Sequence, residues 1–217
     1  MRQTNRLCFW IAAMIVFVLH APAVGAQPVS KEVCLGCHSV SGMQKTRGGK
    51  TISLQVEKER FEQSVHRAFD CTVCHSDISQ VPHKPELKPV QCENCHAASV
   101  KAYTSSIHGK ARAQGFTEPP TCASCHGDIH KLVPRSELAS PVNAKNVART
   151  CAVCHADIEL AKKFRIPVVR PVEAYLQSVH ARAVAAGKGG AVCTDCHGSH
   201  AILPASDPAS QIWRTKV

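Results

Sequence analysis

Little in this chain can build a conventional hydrophobic core. Beyond residue 26, its 191 residues contain only eight leucines, eight isoleucines and seven aromatics. A domain of that length normally buries far more apolar side-chain area. A single methionine, Met43, lies in this region. No convincing alternation of apolar and polar residues reads as a strand, so a layered sheet is not expected. The apolar run Leu7–Leu19 has 13 residues, short of the ~20 that a membrane helix needs. No Lys/Arg block interleaved with aromatics is present, which argues against a nucleic-acid partner.

What the chain does have is Cys-x-x-Cys-His, written six times: Cys34–Cys37–His38, Cys71–Cys74–His75, Cys92–Cys95–His96, Cys122–Cys125–His126, Cys151–Cys154–His155 and Cys193–Cys196–His197. This is the attachment signature of c-type haem. Two thiols three residues apart on a helical turn share a face and can both add to the vinyl groups of one porphyrin. The adjacent histidine then binds the iron as proximal ligand. Paired cysteines also serve zinc sites, redox dithiols and disulfide frameworks, but none of these needs a histidine after every pair. Twelve of the thirteen cysteines belong to the motifs, so six covalent haems are expected, and they must supply much of the core.

Residues 1–26 read as a secretory signal, with Arg2 and Arg6 before the apolar run and Val24-Gly25-Ala26 as a small-residue cleavage site. Cys8 precedes the apolar run and is expected to be lost with this segment. Export suits the motifs, because thioether attachment takes place outside the cytoplasm. A periplasmic location is expected, with the cell surface or exterior as the other destination, and no transmembrane span in the mature chain. The formal charge of +10 falls to +8 without Arg2 and Arg6. Six haems would add about twelve propionate charges, so most Lys and Arg read as propionate partners and solvated surface.

Outside the motifs and the signal there are six further histidines: His66, His83, His108, His130, His180 and His200. That is the number bis-histidine ligation of six irons requires. Three of them close one repeated phrase: Phe61 to Ser64-Val65-His66, Tyr103 to Ser106-Ile107-His108, and Tyr175 to Ser178-Val179-His180. Its aromatic and β-branched residues are four apart, on one face of an expected helix. His130 and His200 each lie shortly beyond a haem motif, and His83 lies between Pro82 and Pro85. Met43 follows the first motif by five residues and reads as a loop residue rather than an axial ligand.

A longer repeat has an offset of 70–72 residues. It carries Tyr103–His108 onto Tyr175–His180, Cys122–His126 onto Cys193–His197, and Leu132-Val133-Pro134 onto Ile202-Leu203-Pro204. Val217 aligns with Val147, four residues before Cys151, so the chain is expected to stop within a repeat. Reading the coding DNA beyond the stop for a further motif checks this. The expected organisation is a signal (1–26), a three-haem segment (27–99), a two-haem repeat (100–170) and an incomplete one-haem copy (171–217). Helices are expected at each motif and over Val56–Arg67, Val100–Gln114, Asp157–Phe164 and Val172–Ala186. Pro-rich connectors are expected at Val81–Pro89, Glu118–Pro120 and Pro167–Pro171. The fold class is mostly α with extensive coil, short helices being wrapped around six haems.

These phrases resemble the multihaem cytochrome c superfamily, specifically the cytochrome c3-like and c554-like proteins of anaerobic respiratory bacteria. The resemblance covers residues 30–217. It implies closely packed bis-histidine haems and electron transfer to redox partners, among them other multihaem cytochromes or a membrane quinol-oxidising subunit. An electron carrier rather than an enzyme is expected. The alternative is a multihaem reductase of nitrogen or sulfur oxyanions with one five-coordinate catalytic haem. Because the cofactors stand in for a core, the chain produced without haem attachment is expected to be largely unfolded. Far-UV circular dichroism that showed native helix content in the haem-free chain would contradict this.

Overall fold

The computed structural model describes residues 29–166 and 170–214. The proposed signal, Cys8, the start of the Pro167–Pro171 connector and the last three residues lie outside them. Among the described residues the chain forms short helices joined by much coil, with one small hairpin. No helix among them is long and apolar enough to cross a membrane.

Every Cys-x-x-Cys-His lies on or against a helix: α1 (Lys31–His38), α3 (Cys71–Cys74), α4 (Glu93–Ser105), α6 (Cys122–His126), α7 (Val147–His155) and α11 (Cys193–His197). Side chains close two of these turns at their starts. Ser124 Oγ accepts the Thr121 N–H, and an Asp195 carboxylate oxygen accepts the Val192 N–H at 2.8 Å. Both satisfy backbone donors at a helix N-terminus. Glycines with positive φ, Gly127 and Gly198, then turn the chain away from the fourth and sixth motifs.

The helices expected to run through the repeated phrase are each broken inside it. Over Val56–Arg67 only α2 (Lys58–Gln63) is helical; Val100–Gln114 divides into α4 and α5 (Ile107–Ala113); Val172–Ala186 divides into α9 (Pro171–Leu176) and α10 (Val179–Ala185). The first two breaks fall at the phrase's serine, where Ser64 and Ser106 have extended backbone at ψ 160° and 166°. In the third, Gln177 ends α9 and Ser178 is extended at ψ 162°. The hydroxyls of Ser106 and Ser178 accept the N–H of Gly109 and Ala181 at 3.0 and 3.2 Å, so each starts a new helix. The aromatic and the β-branched residue therefore do not share one helical face.

The freed backbone is used between repeats. The Val65 N–H donates to Leu132 O and the Ile107 N–H to Ile202 O, both at 2.9 Å. The phrase's tyrosines bind ahead along the chain: Tyr103 Oη donates to Pro120 O at 2.5 Å and Tyr175 Oη to Ala191 O at 3.2 Å. Ser140 and Ser210, aligned by the longer repeat, are both buried.

A second departure from expectation is a hairpin. β1 (Gln44–Arg47) pairs antiparallel with β2 (Lys50–Ser53), Gln44 opposite Ser53. Gly48-Gly49, both at positive φ, make its turn, the geometry that favours such pairs. Its residues are almost all exposed, so no face needed to be apolar and no alternation marked it. α8 (Ile158–Lys163) lies close to expectation, with Asp157 capping Glu159 and Leu160. It is tied back by Lys163 to Glu118 and by Phe116 against Phe164, whose ring centroids are 5.3 Å apart.

The apolar core is as thin as the composition implies. Leu35, Phe61, Val147, Ala148, Val172 and Val192 are its buried members among the described residues, while many larger side chains stay exposed. Among the described glycines, the closest approach of neighbouring backbone lies between α4 and α5. A Cβ on Gly109 would sit 2.1 Å from Tyr103 O and 2.7 Å from Thr104 Cα, both backbone atoms that cannot swing away. Gly109→Ala is expected to cost about 1–3 kcal/mol, and Ser106→Ala about 1 kcal/mol. Thermal unfolding of the purified variants measures both, and an unchanged midpoint for Gly109→Ala would contradict the close approach.

Candidate functional site

The twelve histidines of the motifs and their proposed partners lie far apart in sequence. Ten of them meet as five pairs, each joining one motif histidine to one of the others. His38 faces His83 with ring centroids 6.0 Å apart, and His126 faces His200 at the same distance. His66 with His96, His75 with His130, and His108 with His155 are each at 6.2 Å. With metal–imidazole bonds of roughly 2.0 Å, two rings binding opposite sides of one iron place their centroids about 6 Å apart. Direct stacking would bring them much closer, so the observed gap is the size of an iron between two ligands.

The electrostatics suit neutral ligands. Burial is the first cause that pushes His75, His108, His126 and His155 below the ordinary imidazole range, with the facing histidine adding to it in each of the first three. For His155 the added contribution comes from His197. Iron binds the neutral ring. In the first pair, His38 Nδ1 lies 2.8 Å from Leu54 O and His83 Nδ1 2.8 Å from Lys84 O. Each Nδ1–H donating to a carbonyl fixes the tautomer that leaves Nε2 free for metal. His130 Nδ1 lies 3.4 Å from an Asp128 carboxylate oxygen. The buried Nδ1 atoms of His66 and His75 have no hydrogen-bond partner.

The thiols supply a second set of contacts. All twelve motif cysteines are free, and those of each consecutive pair of motifs are neighbours. The Cys34 thiol pairs with Cys71, which burial and that neighbour push up to about 11. Cys92 pairs with Cys122 and feels Cys74, and burial with these neighbours raises it. Burial and Cys154 raise Cys125. The Cys193 thiol and burial raise Cys151. These contacts link the motifs in the order in which the sequence writes them, first to sixth.

Among the described residues, no three His, Cys, Asp or Glu side chains converge as a closed metal site, so the cysteine pairs do not assemble four-ligand zinc centres. The residues do fit haem: at each of five motifs, two thiols on a helical turn and an imidazole are opposed by a second imidazole at bis-ligand spacing. Val73 and Val153, set between cysteines of their motifs, are 51% and 75% exposed. That is apolar surface a porphyrin would cover. Beside His126 an open groove is lined by Arg60 and Lys131, both of which pair with Glu57, and by Asp128.

The histidine of the sixth motif and one remaining histidine lack a ring partner among the described residues, although Cys193 pairs with Cys151 and His197 lies near enough to act on His155. His197 and His180 are both exposed and do not form a ring pair with each other. Met43 stands at the root of the hairpin, where Met43 O accepts the Leu54 N–H at 2.9 Å, and the ring facing His38 is that of His83. Sequence reading did not find the pairing itself, because each partner is set by the tertiary path of the chain. It also missed the Leu54 and Lys84 carbonyls, for which no local signal exists.

Comparison with known protein families, curated proteins and solved structures gives no match for this chain.

The pairing makes a separable prediction for each iron. His83→Ala, His130→Ala, His200→Ala, His66→Ala and His108→Ala are each expected to add one carbon-monoxide-binding haem per chain to the reduced protein. The absorbance change on adding carbon monoxide counts them. Any variant without a gain removes its pair from the scheme.

Proposed function

We propose that this protein is a hexahaem c-type cytochrome that carries electrons between respiratory partners outside the cytoplasm. The observation that carries the reading is the coincidence of five imidazole pairs at iron-bridging distance with an unbroken sequence of neighbouring thiols. Haem bound at these motifs supplies reversible one-electron chemistry at iron. The chain's own residues do the rest. His38 with His83, His75 with His130, His96 with His66, His126 with His200 and His155 with His108 would hold haem iron between them at five sites. A site closed in this way has no position for a substrate atom, which suits transfer rather than bond chemistry.

The neighbouring thiols set the order. Cys34 pairs with Cys71, Cys92 with Cys122 and Cys151 with Cys193, while Cys74 and Cys154 lie near enough to raise Cys92 and Cys125, so porphyrins attached to these thiols would follow one another in series. Electrons then have a path from the first motif, beside the hairpin, to the sixth, beside α11. Partners are expected at those two ends.

The reductase reading keeps one specific support, the unpaired His197, because a catalytic iron needs an open face. Spectroelectrochemical titration of the purified protein tests the carrier. The expected result is a reversible uptake of six electrons per chain across overlapping haem transitions, with no turnover of nitrite or sulfite. Fewer electrons, or steady reduction of either anion, would replace it.

A further inference from the structure

Resting on that reading, we propose that the face formed by α9, α10 and α11 docks a further c-type haem module and exchanges axial ligands with it. His180 binds the module's iron, and a histidine of the module closes the haem held by Cys193, Cys196 and His197.

Three observations converge on this face. The first is the pairing rule of the histidines that close the repeated phrase. His66 precedes the second motif and faces His96 of the third; His108 precedes the fourth and faces His155 of the fifth. His180 precedes the sixth motif in the same phrase, held at the start of α10 by Ser178 as His108 is held in α5 by Ser106. Its counterpart would be the next motif in that series, and among the described residues no imidazole faces it.

The second is the pairing of the histidines that stand three or four residues beyond a motif; His83, eight residues beyond the second motif, takes another course and faces His38 of the first. His130, after the fourth, faces His75 of the second; His200, after the sixth, faces His126 of the fourth. By this rule His197 takes a histidine that follows a motif two further on, and among the described residues it faces none. His20, the one histidine outside them, belongs to the proposed signal.

The third is independent of histidine. The Val65 and Ile107 N–H groups donate to the carbonyls of Leu132 and Ile202 in the following repeat. Val179 holds the same place after Ser178, is 65% exposed, and donates to no carbonyl among the described residues. Tyr175 Oη on Ala191 O and the close packing of Gly190 against His180 O hold this region together. An unused imidazole, an unopposed haem site and an unused backbone donor thus all belong to the last repeat, on α10 and α11. A small-molecule substrate would account for the haem site alone, whereas a haem module built like this chain's own repeats accounts for all three.

The test uses the full purified chain. Haem content is measured first: fewer than six covalent haems would overturn the cytochrome reading itself. With six present, dilute reduced protein is expected to bind one carbon monoxide per chain. Added imidazole is expected to convert one ferric iron from high spin to low spin. Six low-spin haems that ignore both probes would overturn the proposal and leave the carrier reading intact. Loss of the carbon-monoxide site on concentrating the protein into a dimer would also overturn it, since a second copy would then be the occupant. So would turnover of nitrite or sulfite at that iron.

The His180 arm uses a synthetic peptide carrying one Cys-x-x-Cys-His with its haem. The unchanged protein is expected to turn one equivalent of this five-coordinate haem low spin, binding it at least tenfold tighter than free histidine does, and His180→Ala is expected to abolish the effect. Equal binding by the His180→Ala variant would overturn the proposal. His180→Ala should leave the single carbon-monoxide site unchanged; a second such site would show that His180 ligates a haem of its own chain and would overturn it too.

Discussion

Five pairs of imidazoles, each held at about 6 Å, organise this molecule more than any apolar contact does. They join residues 30 to 74 positions apart, from His66–His96 at the short end to His126–His200 at the long end. Their spans also overlap in sequence: His38–His83 encloses His66 and His75, and His75–His130 encloses His96, His108 and His126. No cut along the chain between His38 and His200 separates one pair from all the others. The buried apolar core among the described residues is six side chains, and haem iron bound between each pair would act as a cross-link in its place. Three pairs close within one segment, whereas His75–His130 and His126–His200 tie each segment to the next, so the contacts that join the repeats are the long-range ones.

What the sequence made legible follows from how local each feature is. Two thiols three residues apart and a following histidine constrain one helical turn, so every motif is where its spacing placed it. The Ser-Val-His and Ser-Ile-His phrase was visible, but its serine was passed over as part of a helix. A serine two residues before a ligand carries the ordinary signal of an N-cap, and at Ser106 and Ser178 that is its role. The Gly48-Gly49 turn was equally readable, yet the strands it joins are exposed on both faces and left no alternation to find. Which histidine faces which was beyond local reading. His130 lies four residues from His126 and nevertheless faces His75, because the turn after Gly127 carries it toward an earlier motif.

The phrase and the longer repeat form one interlocking device. Breaking the helix at Ser64 and Ser106 frees the next N–H, and that donor is taken by the Leu132 or Ile202 carbonyl of a later repeat. Two residues before each acceptor stand His130 and His200. One short segment thus both ties down the preceding repeat and delivers a ring to it. Repeat architectures depend on such nearest-neighbour interfaces, and here the interface and the proposed ligand share the same few residues.

The thiol contacts carry a consequence for how this chain can be made. Cys34 beside Cys71, Cys92 beside Cys122 and Cys151 beside Cys193 each bring sulfurs of different motifs together. In an oxidising environment, a collapsed chain bearing bare thiols would seal these neighbours as disulfides. Each such bond would disable two attachment points at once. On the proposed haem reading, this arrangement is therefore reachable in one order only: every sulfur capped first, the chain closed afterwards.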